Sequence, residues 1–270
     1  MSNIAVIMSV YKNDTLKSLQ EALKSLYNQT LPVDIYVQQD GLVQEEVSTY
    51  LEDVLQKQKI IYVGKRAKNR GLAYSLNELL DLILAQDYEY IARMDADDIS
   101  LPKRFEKQYK FMLENRDVDI VGGYIEEFSS EISYNKVVKY PLSHDEMYKF
   151  FAKRVPVAHV TAFFRRSFFE KAGVYPTISK TNEDTLLWMN GFKAGCRFAN
   201  IPEVLVRVRV TKDFFTRRGG VEKAWSDFKD RWKVIKTLGY NKSSYVYAIG
   251  LFTVSIMPSE IKKFFYKRLR

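Results

Sequence analysis

Apolar and polar positions follow two alternating rhythms over the first 115 residues. Ile4–Val10 is a continuous β-prone run, the mark of a strand covered on both faces. Leu16, Leu19, Leu23, Leu26 and Tyr27 then recur at helical spacing, with Asn13 or Asp14 offered as the cap. Val33–Gln39 predicts a second strand ending at Asp40-Gly41, and Val43–Gln56 a helix. Ile60–Val63 predicts a third strand, Leu72–Leu84 a helix entered through Asn69-Arg70-Gly71, and Tyr88–Met94 a fourth strand. Pro102 opens a further helix, about Lys103–Asn115. Strand–helix alternation with short links predicts an α/β fold, a mostly parallel sheet flanked by helices. In such sheets ligands bind at the carboxyl ends of the strands. Those ends carry Ser9-Val10-Tyr11, Asp40-Gly41, Asn69-Arg70-Gly71 and Asp95-Ala96-Asp97-Asp98.

After Asn115 the rhythm changes. Val118–Phe128, Lys136–Tyr140, Val160–Phe164 and Val204–Val210 predict strands; Asp145–Arg154, Glu183–Ala194 and Val221–Leu238 predict helices. An apolar run, Tyr245–Met257, precedes a short basic amphipathic end. That run is broken by Gly250, Thr253 and Ser255 and falls short of the roughly 20 residues of a spanning helix. The N-terminus carries no basic leader, so the expectation is a cytoplasmic chain, free or attached to one membrane face.

Composition narrows the class. A chain of 270 residues that is 46% hydrophobic builds a substantial core, and its single cysteine, Cys196, excludes an internal disulfide framework. The net charge of +9 is local. Residues 206–270 hold 16 Lys and Arg against 5 Asp and Glu, leaving 26 basic and 28 acidic residues in positions 1–205. A basic end on a near-neutral body points to a local anionic partner, phospholipid or diphosphate, and not to nucleic acid.

Three carboxylates in Asp95-Ala96-Asp97-Asp98 repel one another unless a cation or solvent relieves them. Hard oxygen donors suit Mg²⁺ or Mn²⁺, which keep waters and bind substrate phosphates. An exposed acidic turn with Asp98 capping the next helix has the same sequence. Glu183-Asp184 opens a helix running past Trp188, where acidic residues also favour the macrodipole. His159 adjoins a buried strand, where a structural histidine is as much at home as a ligand-binding one. Arg217-Arg218-Gly219-Gly220 precedes a helix, an arrangement fit for a diphosphate. In the final segment Ile261, Phe264, Phe265 and Leu269 share one helical face among basic residues, as an interfacial helix on an anionic membrane requires.

Val6-Ile-Met-Ser-Val-Tyr11, Gln39-Asp-Gly41, Asn69-Arg-Gly-Leu72, Met94-Asp-Ala-Asp-Asp98 with Leu101-Pro-Lys-Arg104, and Glu183-Asp-Thr-Leu-Leu-Trp188 occur in the order found in family 2 glycosyltransferases of the GT-A fold. The chain resembles that family over about residues 1–210, and its end resembles O-antigen and exopolysaccharide transferases of the amylovoran type. The resemblance implies a nucleotide-sugar half (1–115), an acceptor half (116–212) and a basic helical extension (213–270). It implies that Ser9, Tyr11, Asp40, Asn69 and Asp95 bind a UDP-hexose, with Tyr11 stacked on uracil and Asp40 accepting its N3 hydrogen. Asp97 would hold Mn²⁺ or Mg²⁺, and Asp184 would be the base of an inverting transfer. Glu183, Trp188, His159, Arg217 and Arg218 would lie toward the acceptor or a diphosphate. The implied reaction moves galactose or glucose to GlcNAc-diphospho-undecaprenol in a β1,3 link, at the inner face of a bacterial membrane. Two rivals remain: a sugar-phosphate nucleotidyltransferase, whose glycine-rich N-terminal loop Ser9–Asp14 lacks, and a non-enzymatic anionic-lipid binder.

Overall fold

The computed structural model describes residues 2–129, 131–179, 181–211 and 220–257. The first apolar run forms β1 (Ile4–Tyr11), buried along nearly its whole length because helices cover both faces. β2 (Asp34–Asp40), β3 (Tyr62–Lys65) and β4 (Tyr90–Asp95) run parallel to it in the order β3-β2-β1-β4. Helices α1 (Leu16–Tyr27), α2 (Glu45–Gln56) and α3 (Leu72–Leu84) make the crossovers. Neither Asn13 nor Asp14 caps α1. Thr15 does, accepting from the Ser18 nitrogen, while the Asp14 carboxylate accepts from the Tyr11 nitrogen at 2.8 Å and closes the turn after β1.

All pairs among β1–β4 are parallel; beyond β4 the sheet becomes mixed. β5 (Ile99–Ser100), α4 (Arg104–Glu114), β6 (Ile120–Phe128), β7 (Asn135–Val138) and α5 (His144–Phe151) follow. Next come β8 (Phe163–Arg165), α6 (Ser167–Ala172), α7 (Glu183–Lys193) and β9 (Phe198–Arg209). β8 is antiparallel to both β4 and β6, β6 is parallel to β9, and β5 and β7 pair antiparallel with β9 and β6. One nine-stranded sheet therefore crosses both halves of residues 1–212.

The strand expected over Val160–Phe164 starts only at Phe163. His159–Thr161 is a 3₁₀ turn, because the buried Thr161 hydroxyl donates to the Ala158 carbonyl and accepts from the Gly123 nitrogen. β6 approaches this turn closely: a Cβ on Gly122 would lie 2.4 Å from the Asn200 side chain and 2.7 Å from Val157.

The chain then makes a helical hairpin, α8 (Val221–Thr237) and α9 (Lys242–Ile256). Ring contacts of Trp225 with Phe252 and of Trp232 with Tyr245 show the helices to be antiparallel. Asn182, just before α7, donates to Asp227 and Asp230 of α8, and Tyr148 of α5 donates to the Leu238 carbonyl. The hairpin is thereby bound to the turn that starts α7.

Candidate active site

The strand ends converge as the parallel register demands. Ser9 lies opposite Asp95, and Tyr11 opposite Asp40. Asp40 is buried, and its carboxylate bonds to the Arg66 guanidinium and accepts from the Arg70 and Gly71 nitrogens at 2.8 and 2.9 Å. Asn69 is exposed and donates to the Asp40 carbonyl at 3.1 Å. Gly41 turns this corner at φ +83°, where a Cβ would lie 2.7 Å from the Asn69 nitrogen, so only glycine fits. Asp40 thus organises the 69–71 loop. Its Oδ2 accepts one bond within the protein and has acceptor capacity to spare.

On β4, Arg93 and Asp95 lie two residues apart and so on one face of the strand. The buried Arg93 guanidinium makes a two-pronged ion pair with the partly exposed Asp95. Asp98 does not cap α4. It is buried and accepts from the Arg209 nitrogen at 2.8 Å, while the Arg209 side chain donates to the Asp97 carbonyl at 3.0 Å. Asp97 is half-buried and pushed up to about 6 by burial and then by the neighbouring Asp95 charge.

The second acidic group starts α7. Glu183 is buried and pushed up to about 7, first by desolvation and then by Asp184. Burial also raises Asp184, opposed by bonds from the Thr185 nitrogen (2.6 Å) and hydroxyl (3.3 Å). Arg93 is the common neighbour of the two groups. Its charge acts on Asp95, Asp97, Asp98, Glu183 and Asp184, and Asp95 in turn raises Glu183. The strand-end carboxylates and those of α7 therefore share one electrostatic environment.

Among the described residues no group of three or more His, Cys, Asp or Glu is arranged to hold a metal ion. Asp95 is committed to Arg93 and Asp98 to the β9 backbone, which leaves Asp97, whose charge Arg93 and Arg209 offset only in part, as a single hard donor. That set does not make an all-protein cage. It fits a Mg²⁺- or Mn²⁺-type ion that keeps its waters and shares a diphosphate with one carboxylate.

The sequence model of glycosyl transferase family 2 matches residues 5–173, and that of glycosyl transferase family group 2 matches residues 90–259. The chain belongs to glycosyltransferase family 2. It is 30% identical to the UDP-Gal:alpha-D-GlcNAc-diphosphoundecaprenol beta-1,3-galactosyltransferase of Escherichia coli, over 98% of this chain and 95% of the relative. It is also 30% identical to the amylovoran biosynthesis glycosyltransferase AmsE of Erwinia amylovora, over 98% of each. Its fold matches that of the mannosyltransferase PcManGT from Pyrobaculum calidifontis, solved with GDP-Man and Mn²⁺. The TM-score is 0.64 at 15% identity, covering 99% of this chain and 79% of the other. The GT-A fold and glycosyltransferase activity follow.

Within this glycosyltransferase one acceptor-side expectation needs correction. Trp188 does not face the site. It is fully buried among Phe164, Phe168 and Phe198, where the volume of an indole completes the core under α7. His159 bonds to the buried Tyr175 hydroxyl at 2.9 Å beside Trp188, and desolvation holds its pKa well below the usual range. It links the 3₁₀ turn to the Tyr175 segment and feels the Arg93 charge. Arg217, Arg218 and the basic segment 258–270 lie outside the described residues. Arg66, Arg93, Arg209 and Tyr175 were missed in the sequence. Arg93 alone left a mark there: one cation inside the apolar run Tyr90–Met94.

The crowding has a measurable sign. Asp97 and Glu183 titrate higher in the fold than their ordinary 3.8 and 4.5, so the folded state binds the extra protons. Their stabilising contribution is complete below the ordinary values and is lost as pH rises through about 6 and 7. Without divalent ions, thermal melting is expected to fall between pH 5 and pH 7.5, and Glu183→Gln to flatten that slope. A wild-type curve that rises over this interval rejects the assignment.

Proposed function

We propose that this enzyme transfers galactose or glucose from a UDP-sugar, with inversion, to a saccharide carried on undecaprenyl diphosphate, forming a β1,3 link in surface-polysaccharide assembly. The carrying observation is the shared environment of Asp95 and Asp97 with Glu183 and Asp184 around Arg93. The E. coli relative, named for UDP-Gal and a GlcNAc-diphosphoundecaprenol acceptor, supports the choice of substrates.

The uracil stacks on the Tyr11 ring, and its N3 hydrogen goes to the spare acceptor site of Asp40, held in place by Arg66. Asp95, positioned by Arg93, meets the ribose. Asp97 would hold Mn²⁺, the ion solved with PcManGT, or Mg²⁺, and when bound that ion would supply positive charge toward the departing diphosphate. Asp184 accepts the proton of the acceptor hydroxyl as the oxygen attacks the anomeric carbon from the opposite face. Burial raises Asp184 toward the working pH, where a base is most effective, and Thr185 fixes its orientation. Glu183, beside it, orients the acceptor.

The acceptor's lipid implies work at the cytoplasmic face of the membrane, as a peripheral protein. No helix among the described residues is long and apolar enough to cross a membrane. Trp225 and Trp232 of α8 and Val246, Ile249 and Ile256 of α9 are exposed, an apolar-aromatic surface suited to the interfacial layer.

The test is UDP release from a panel of UDP-sugars, with GlcNAc-diphospho-lipid acceptor presented in anionic vesicles. Mn²⁺-stimulated release on adding acceptor is expected, with UDP-galactose or UDP-glucose preferred and the protein sedimenting with the vesicles. Mn²⁺ should also raise melting more at pH 7 than at pH 5, where Asp97 is protonated, and Asp97→Asn should remove the effect. Acceptor-independent formation of UDP-sugar from UTP and a sugar phosphate would reverse the reading.

A further inference from the structure

A cavity of about 330 Å³ lies between the C-terminal hairpin and the turn that begins α7. Its volume falls in the roughly 300–1,000 Å³ of small-molecule sites. The walls divide by chemistry. Phe228, Leu251 and Phe252 form an apolar side, and Lys153, Arg154 and Arg231 a cationic one. Two carboxylates in the lining offset part of that charge, but three cations against two carboxylates leave the lining net cationic, and both carboxylates are held by protein donors. Asp230 accepts from Ser179 and Asn182 at 2.9 and 2.8 Å, and Asp227 from Asn182 at 2.9 Å and Lys223 at 2.8 Å.

Arg231 is held for a purpose its protein contacts do not exhaust. One guanidinium nitrogen donates to the Phe151 carbonyl, and the plane sits 5.6 Å from the centre of the Phe151 ring. Burial depresses its pKa despite the nearby Asp184 and Asp227 charges, so its poorly solvated cation still favours an added anion. Lys153 is exposed and reaches over the Tyr247 ring of α9 at 5.5 Å, at the rim. The cavity also borders the catalytic corner: Thr185, whose nitrogen and hydroxyl hold Asp184, is part of its lining, and the Arg231 charge reaches Asp184. A phosphorylated amphiphile meets both walls at once, with phosphate oxygens on the guanidinium side and hydrocarbon on the aromatic side.

We propose that this cavity binds the diphosphate and the adjoining isoprenoid units of the lipid-linked acceptor, so that the acceptor sugar reaches Asp184 from the hairpin side. The inference rests on the lipid-linked acceptor argued above and adds the place where its charged and apolar parts are read.

Two variants separate the walls. Lys153→Ala/Arg154→Ala removes rim cations at exposed positions, where the fold does not depend on them. Leu251→Asn/Phe252→Ser changes the apolar wall. Each is assayed in detergent with three acceptors: GlcNAc-diphosphate on a long prenyl chain, the same headgroup on a short alkyl chain, and an uncharged long-chain alkyl GlcNAc. The cation variant should raise KM for both diphosphate acceptors at least about tenfold and leave the uncharged one unchanged. The apolar variant should raise KM for the long-chain acceptors alone. KM for the UDP-sugar should stay constant in both, and unaltered melting curves establish that both fold. Unchanged acceptor KM values in both variants overturn the cavity assignment while transfer to the wild-type substrate stands. If the variants lose only vesicle binding, bulk phospholipid is the occupant and the proposal fails. A wild-type enzyme that ignores every diphosphate-lipid acceptor yet glycosylates a soluble saccharide removes the underlying reading, and this inference with it.

Discussion

Asp184→Asn should lower kcat by about 10²–10⁴-fold, the usual contribution of a positioned general base. The substitution keeps size and shape, and an amide oxygen still accepts from the Thr185 nitrogen, so α7 should start where it does now. What is lost is the ability to take a proton. UDP-sugar binding, measured by calorimetry, should stay within a few-fold, because Asp184 belongs to the α7 side. The wild-type kcat/KM should climb with pH on its acidic side, following deprotonation of the Glu183–Asp184 pair as one coupled unit. In Asp184→Asn that acidic limb should disappear. If kcat instead falls less than tenfold and the limb persists, proton removal belongs to another group.

Arg93→Met should cost about 3 kcal/mol of folding stability in urea titrations, at the lower end for a broken buried ion pair, since Asp95 keeps some hydration. The methionine fills much of the space but leaves Asp95 unpaired beside Asp97 and Asp98. Glu183 and Asp184 lose the same compensating cation. Two acidic groups on different elements should therefore shift upward together, and the acidic limb of the rate profile should move to higher pH. Adding Asp95→Asn should recover part of the lost stability, because it removes the charge that Arg93 neutralised. Strictly additive losses in that double variant would mean that Arg93 and Asp95 do not act as a pair.

The chemistry at the strand ends was legible wherever local order decides it. β1 and α3 lie where the apolar run and the helical period put them, and the tetrad Asp95–Asp98 follows a buried strand as expected. Loss of legibility has specific physical causes. α7 is buried on almost every side, from Thr185 through Phe192, so its sequence has no polar stripe to say which residues face the ligand. Trp188 was placed toward the acceptor by the family motif Glu183–Trp188 and proved to be core. The role of His159 stayed open in the sequence because its partner, Tyr175, is 16 positions away and only the fold brings them together. β5 is two residues long and exists by pairing with Arg207 and Val206, about a hundred positions later. Arg93 was readable in principle: a cation two residues before an aspartate on one strand shares its face.

The bonds from Asp227 and Asp230 to Asn182 tie the start of α7 to a part of the chain that the sheet does not need. Substitutions in the last quarter can therefore shift the start of α7, with Glu183 and Asp184, while the strand ends that carry Tyr11 and Asp40 stay as they are. On the reading proposed above, such an arrangement would let a lineage retarget its sugar to a different molecule without relearning how to recognise the activated donor.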